Sequence, residues 1–367
     1  MSPPGLADFI HIYNLILWAF SLLFQEYSSM MKVKVAVIGA GIVGMSTAVC
    51  IAEALPFCTV TVLAEKFSPD TTSDIAAGLL LPKEIPGIPL ERQLRWFKGT
   101  FDHLLAISES TQASEAGVLL SSGYQLFKEV PSITKPYWAD IVFGFRTMTD
   151  HEMKRFPNYK LGQALMTLKC EGLRYLPWLE KRLTKAGGQI KREKVTDLQK
   201  LAESYDVIVN CSGLGSRYLV GDEQVHPIRG QIIKVHAPWV KNFIRVLGEN
   251  TYIYPGIDYV TLGGTQQVND WRMEVDKDNS KDIMKSCSEL IPSLRTAQVL
   301  GEQVGLRPGR SNLRLEREWL QVQARHVPLV HNYGHGSWGI SLSWGTALEA
   351  LDFVRKSLHE KPPHARL

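Results

Sequence analysis

The apolar positions of this chain change period several times, and the changes mark out two kinds of sheet. Val33-Lys-Val-Ala-Val-Ile is a β-branched run without a turn residue, the pattern of a strand buried in a parallel sheet. It runs into Gly39, Gly41 and Gly44 and then into a helical segment, Met45–Leu55. A second strand, Thr59–Ala64, ends at Glu65. Pro82–Pro89 is proline-rich and reads as a loop. Gln93–Ser108 is an amphipathic helix, with Leu94, Phe97, Phe101, Leu104 and Leu105 on its apolar face. Gly123–Lys128 and Ile141–Thr147 read as strands, and Met148–Phe156 as a helical turn. Gly172–Ala186 is a helix stopped by Gly187-Gly188. After the short strand Gln189–Val195, Asp206–Cys211 returns to the buried-strand pattern. Strands and turns then alternate through Gln231–His236, Phe243–Val246, Thr251–Tyr254 and Tyr259–Gly263, which predicts an antiparallel sheet in a separate layer. Asp282–Leu290 and Arg295–Val299 are helical or irregular, and Gly345–Lys356 is a closing amphipathic helix.

These periods predict an α/β fold. A Rossmann-like nucleotide-binding domain is assembled from the discontinuous segments 32–82, 162–222 and 300–357. An antiparallel or mixed sheet from 83–161 and 223–299 is inserted between them as a substrate domain. Residues 1–31 read as a leader outside the fold. Phe9–Phe24 is apolar, but it carries His11 and Asn14 and is shorter than the roughly 20 residues that span a bilayer. No Lys or Arg precedes it, so the charged start of a secretory signal is missing, and Met30 and Met31 stand just before the first strand. A membrane anchor is the competing reading.

Composition narrows the classes. The 367 residues are 45% hydrophobic and 21% charged, enough for two globular domains. The net charge of +4 is spread without long basic runs, which argues against a nucleic-acid groove and suits an anionic cofactor and substrate. The five cysteines are scattered and form no Cys-x-x-Cys pair, the usage of a reduced compartment without a metal site.

The glycines after the first strand carry the first chemistry. Gly39 permits the tight turn, Gly41 lets backbone approach a pyrophosphate, and Gly44 lets the helix pack on the strand. With Ile42 and Val43 between them, they open a helix whose N–H groups and dipole favour phosphate. Glu65 stands about twenty residues on, where a carboxylate accepts from ribose hydroxyls. Thr71, Thr72 and Ser73 offer hydroxyls to phosphate, or else cap the helix that follows. Ala76, Ala77 and Gly78, followed by Leu79, suit close approach of a flat ring system.

Five motifs make the chain resemble the D-amino-acid oxidase family from about Lys32 to Lys356, most of all its D-aspartate oxidase branch. They are Val35-Ala-Val-Ile-Gly-Ala-Gly-Ile-Val-Gly-Met-Ser-Thr-Ala, Thr71-Thr-Ser-Asp-Ile-Ala-Ala-Gly, Thr251-Tyr-Ile-Tyr-Pro-Gly with Val260-Thr-Leu-Gly-Gly-Thr, Gly305-Leu-Arg-Pro with Arg314-Leu-Glu-Arg-Glu, and His331-Asn-Tyr-Gly-His-Gly-Ser. The resemblance implies FAD, oxidative deamination of a D-amino acid, and O2 as acceptor with release of H2O2. It places Arg307 at the α-carboxylate, where a planar, bidentate guanidinium fits, and Tyr252 beside it. Ser337 falls where a backbone carbonyl accepts from the substrate amine. Gly336, Gly339, Ile340 and Ser341, with Arg314, are placed at the edge of the flavin that gains negative charge, and Lys66, Val195 and Gly213 elsewhere along the cofactor. An ion-paired Arg307, a sheet-face Tyr252 and an ordinary glycine loop are the structural alternatives.

Within the family, Arg245 and Ser337 match the aspartate branch, Arg245 as the cation for the second carboxylate. Two positions depart from that branch, Gln266 in place of an arginine and Lys83 in place of a histidine; Lys83 still offers a mobile cation. The expected substrates are acidic D-amino acids, D-aspartate first, then D-glutamate or N-methyl-D-aspartate. The competing functions are oxidation of neutral D-amino acids, an NAD-dependent dehydrogenase sharing the first motif, and a flavin-bound protein without catalysis. The terminus Ala365-Arg366-Leu367 resembles the Ser-Lys-Leu address read by the peroxisomal import receptor.

Overall fold

A computed structural model describes residues 32–360. The leader and the terminal tripeptide lie outside the described residues.

Six strands form the first sheet in the order Arg314–Val322, Arg325–Tyr333, Val207–Asn210, Val33–Ile38, Cys58–Ala64 and Gln189–Arg192. All neighbours are parallel except the first pair, which is a hairpin. Strand Val33–Ile38 is buried on both faces, because successive side chains point opposite ways. Val35 and Val37 join the large core beneath the helices Ile42–Ala54, Gly172–Lys185 and Gly339–His359. Ala36 and Ile38 join a smaller core with Leu198, Leu201 and Leu329. The strands of this sheet come from three separated stretches of the chain, 33–64, 189–210 and 314–333.

The second sheet has nine strands and is mixed. Its path runs from Gln267–Val268 through His226–His236, Val260–Gly263, Tyr252–Pro255, Phe243–Leu247, Val118–Phe127 and Leu161–Cys170 to Phe143–Thr147, with Gln298–Gly309 paired along His226–His236. Phe243–Leu247 pairs in parallel with Val118–Phe127; the other pairs are antiparallel. One face packs on the helix Lys277–Leu290 through Ile233, Ile244, Ile253, Leu262 and Ile283. The opposite face, bearing Arg245, Tyr252 and Tyr254, turns toward the first sheet.

Sheet membership departs from the expected domain bounds at two places. Leu161–Cys170 and Gln298–Gly309 are strands of the second sheet, so boundaries at 162 and 300 fall inside strands. Neither stretch alternates cleanly: Leu161–Cys170 is buried at eight of its ten positions, in two runs of four, and Gln298–Gly309 holds three glycines and a proline. The first helix begins at Ile42, three residues before the expected Met45, so its free N–H groups sit inside the glycine motif.

Candidate active site

A cavity of about 960 Å³ runs between the two sheets, at the upper end of the ~300–1,000 Å³ usual for ligand sites. It has a backbone-rich half on the first sheet and a side-chain half on the second.

In the first half, Gly39, Gly41, Ile42, Val43 and Gly44 all line the cavity. Gly39 has φ +108°, the left-handed region, and a Cβ there would sit 2.4 Å from the Cys211 carbonyl oxygen. A Cβ on Gly44 would sit 1.9 Å from the Gly39 carbonyl oxygen, the close helix–strand approach that the motif predicts. No side chain caps the helix, so its first N–H groups face the cavity. The Ile42 N–H is an exception, since it donates to Ser73 Oγ at 2.9 Å.

The hydroxyl run is therefore committed to protein. Thr71 and Asp74 form a capping box, with the Thr71 hydroxyl donating to the Asp74 carboxylate at 2.7 Å. Thr72 Oγ1 donates to the Leu306 carbonyl at 3.0 Å. All three residues line the cavity; Thr71 meets the capping reading, while Ser73 Oγ accepts a bond and keeps its own proton to donate. Glu65 and Lys66 are exposed on the cavity wall, and Glu65 meets Lys194 at 3.3 Å. Ala77, Gly78, Leu79, Val195 and Gly213 are on the wall as expected.

Arg314 is not. Its guanidinium is held by Glu316 at 2.6 Å and Glu318 at 3.1 Å, and it donates to the Tyr333 hydroxyl at 3.1 Å. Tyr333 lies on the cavity wall, so Arg314 stands behind a tyrosine. The outward pull comes from two carboxylates on its own strand at i+2 and i+4, which share its face.

The glycine-rich turn after Tyr333 delivers Gly336, Ser337, Gly339, Ile340 and Ser341 to the cavity, where the helix Gly339–His359 begins. That helix crosses Leu90–Ser108 closely: a Cβ on Gly345 would overlap the Trp96 backbone at 2.0 Å, and Glu349 is bound by Arg92, Arg95 and the Trp96 indole N–H. His335 is buried in the turn at 3.1 Å from Thr346 Oγ1, and burial pushes its pKa down to about 4, so the ring is neutral.

In the second half, Tyr252 and Arg245 are directly opposite each other on adjacent strands. Arg245 donates to the Leu81 carbonyl at 3.1 Å and lies over the Trp338 ring at 5.6 Å. Tyr252 stacks on Tyr254 at 4.5 Å. Burial raises the Tyr252 phenol above its usual range against the lowering pull of Arg307, so it is a neutral donor. Arg307 donates to the Thr265 carbonyl at 3.1 Å, and no carboxylate among the described residues pairs with it. Space for these groups is cut by glycines. A Cβ on Gly230 would meet the Arg307 guanidinium at 2.4 Å, and one on Gly263 would enter the Tyr252 ring at 1.9 Å. Lys83 is exposed at the rim, and Gln266 lines the same wall.

Sequence reading gives no site role to Tyr254, Gly230, Trp271, Met273 or Asn332, which also line the cavity. Tyr254 was within reach, since i and i+2 share a strand face. Asn332 is fully buried, donates to Thr47 Oγ1 at 3.2 Å, and its Oδ1 has no partner among the described residues. An unpartnered buried acceptor, free helix N–H groups and glycine-cut space fit a large polar cofactor such as FAD.

Comparison with known proteins agrees with this geometry. The DAO family, described as FAD dependent oxidoreductase, matches residues 34–352. Human D-aspartate oxidase is 52% identical over 326 residues, covering 89% of this chain and 96% of that protein. A D-amino acid oxidase of Dugesia ryukyuensis is 36% identical, covering 87% and 97%. Among solved structures, glycine oxidase from Geobacillus kaustophilus superposes with a TM-score of 0.70 at 18% identity, covering 88% and 94%, a likeness of fold.

Proposed function

The chain belongs to the DAO family of FAD-dependent oxidoreductases, and from that premise we infer that it oxidises acidic D-amino acids, D-aspartate first. D-Glutamate and N-methyl-D-aspartate are the further substrates of the same kind. The products are the 2-oxo acid, ammonia and H2O2, with O2 as the final acceptor. The observation that carries the reading is the pair of arginines on one cavity wall, Arg307 without a carboxylate partner and Arg245 opposite Tyr252. It is supported by the 52% identity to human D-aspartate oxidase.

Bound FAD supplies the two-electron acceptor for the hydride that leaves Cα. The residues do the placing. Arg307 presents a planar fork to the α-carboxylate, and the neutral Tyr252 phenol donates to the same group. The Ser337 carbonyl accepts from the substrate amine, which enters unprotonated, so no side-chain base is needed at Cα. His335 is held neutral by burial and takes no part in the proton's path. Arg245, backed by the Trp338 ring, meets the distal carboxylate, and Lys83 adds a cation at the rim. Two fixed carboxylates set the chain length of the substrate, and with the amine held at the Ser337 carbonyl as a third contact they select its hand and hold Cα–H toward the cofactor.

An H2O2 assay of the FAD-loaded enzyme across D-aspartate, D-glutamate, N-methyl-D-aspartate and D-alanine tests the reading. The expected order has D-aspartate first and D-alanine last; the reverse order overturns it. The terminal Ala365-Arg366-Leu367 supports import into peroxisomes, where H2O2 is destroyed. Deleting it leaves an active, cytosolic enzyme if the tripeptide is the signal.

A further inference from the structure

Arg229 is a cation of the second sheet, on the strand His226–His236, that the reaction does not use. It is fully buried, and its guanidinium bonds neutral acceptors: the Arg272 carbonyl at 3.0 Å, the Glu274 carbonyl at 2.5 Å, Gln267 Oε1 at 2.7 Å and Gln231 Oε1 at 3.1 Å. Among the described residues no carboxylate lies within ion-pair distance of it. A buried charge is costly, and its direct partners here are all neutral dipoles, with the Asp270 and Asp276 carboxylates acting only from longer range. Three of its four acceptors belong to one segment, residues 265–276. Gln231, two residues along the same face, grips that segment again: its side chain accepts from the Asp276 N–H at 2.9 Å and donates to the Asp276 carbonyl at 2.8 Å.

The gripped segment is a wall of the site. It carries Gln266, Trp271 and Met273 to the cavity, and its Thr265 carbonyl accepts from Arg307 at 3.1 Å. Thr265 Oγ1 in turn accepts from the Gln231 N–H at 2.9 Å. Trp271 and Met273 are 46% and 52% exposed, so apolar packing holds this wall weakly. We propose that Arg229 is a positioning residue: its buried guanidinium holds segment 265–276 in place, and through Thr265 it orients Arg307 for the substrate's α-carboxylate. This rests on the reading of Arg307 given above. Along one strand, Arg229 and Gln231 fix the wall from one face, while Gly230 between them leaves room on the other face for the guanidinium it serves.

The Arg272 carbonyl bonded by Arg229 is also the carbonyl that trypsin attacks, and the Arg272 side chain is 60% exposed. Limited trypsinolysis therefore reads the clamp directly. In FAD-loaded Arg229→Lys and Arg229→Met, scission after Arg272 is expected to quicken by about ten-fold or more. KM for D-aspartate should rise by about ten-fold while kcat per bound flavin stays within about three-fold, the pattern of lost ground-state binding. Lys should retain more of the wild-type KM than Met. An unchanged KM in variants that are cut faster overturns the proposal, and so does unchanged scission. If neither variant folds with FAD, the decision passes to Gln267→Ala, which removes one acceptor from the loop side. A two- to five-fold rise in KM is then expected, and an unchanged KM overturns the clamp. If the wild type oxidises no acidic D-amino acid, the substrate reading falls alone. The same variants are then compared by the dissociation constant of propionate, read from the flavin absorbance, because any carboxylate bound by Arg307 should weaken.

Discussion

Where the cavity meets the helix Ile42–Ala54, its wall is main chain: Gly39, Gly41 and Gly44 are there for the atoms they lack, and the hydroxyls of Thr71 and Thr72 are spent on Asp74 and Leu306. Across the gap, Arg245, Tyr252, Tyr254 and Arg307 enter on side chains, and even their glycines serve to seat a neighbouring side chain. The first wall offers close approach and dipole, the second charge and shape. Adding an atom should break the first, and reshaping one should break the second.

The largest effect is expected at Gly44→Ala. A Cβ 1.9 Å from the Gly39 carbonyl oxygen meets backbone that cannot turn aside, so the variant should be insoluble or free of flavin, as read from its absorbance spectrum. A yellow, active Gly44→Ala enzyme breaks the comparison. Next is Arg307→Lys. One ammonium cannot make the planar fork, so flavin content should hold while kcat/KM for D-aspartate falls by about 2–4 kcal/mol in transition-state binding. Near-normal kcat/KM removes Arg307 from the site.

The two walls also differ in how far their sequence betrays them. The glycine motif between a β-branched run and a helix can be read because its physics is local: turn, approach and packing fall within twelve residues. The setting of Arg314 off the cavity wall is not legible, because its partners are decided by the strand face it shares with Glu316 and Glu318. Strands Leu161–Cys170 and Gln298–Gly309 escaped because burial on both faces, or glycine, erases the alternation that marks a strand. The role of Arg229 is unreadable for a related reason, since two of its acceptors are backbone carbonyls some forty residues away, and a carbonyl has no sequence signature.

Arg245→Met sharpens the comparison within the second wall. It should cost D-aspartate about 1–3 kcal/mol in kcat/KM and leave a neutral substrate such as D-methionine unchanged or improved, because only the former loses a charge partner. A parallel fall in both makes Arg245 structural. The smallest effect, vanishing at neutral pH, belongs to His335. Burial sets its folded pKa at about 4, below the unfolded value near 6.5, so the unfolded chain binds the proton first. Its contribution to stability is full above about pH 6.5 and is lost as pH falls toward 4, with a slope of up to ~1.4 kcal/mol per pH unit. Denaturant titration of His335→Gln should show a shallower acid limb than wild type. An identical limb assigns the slope to His103 and His331, whose pKa values burial also lowers.

The order of strands in the first sheet has a consequence for the birth of the protein. Val33–Ile38 leaves the ribosome early, yet its neighbour Val207–Asn210 comes far later, and Arg325–Tyr333 and the helix Gly339–His359 come last. Until they arrive, Ile208 and Val209 have no cover along one edge, and the turn from Gly336 to Ser341 has not been made. The nascent chain thus carries an open parallel edge for most of its synthesis, a long-range closure that is slow and exposed to aggregation. The turn that completes the cavity wall, from Gly336 to Ser341, is thus among the last parts of the fold to be synthesised.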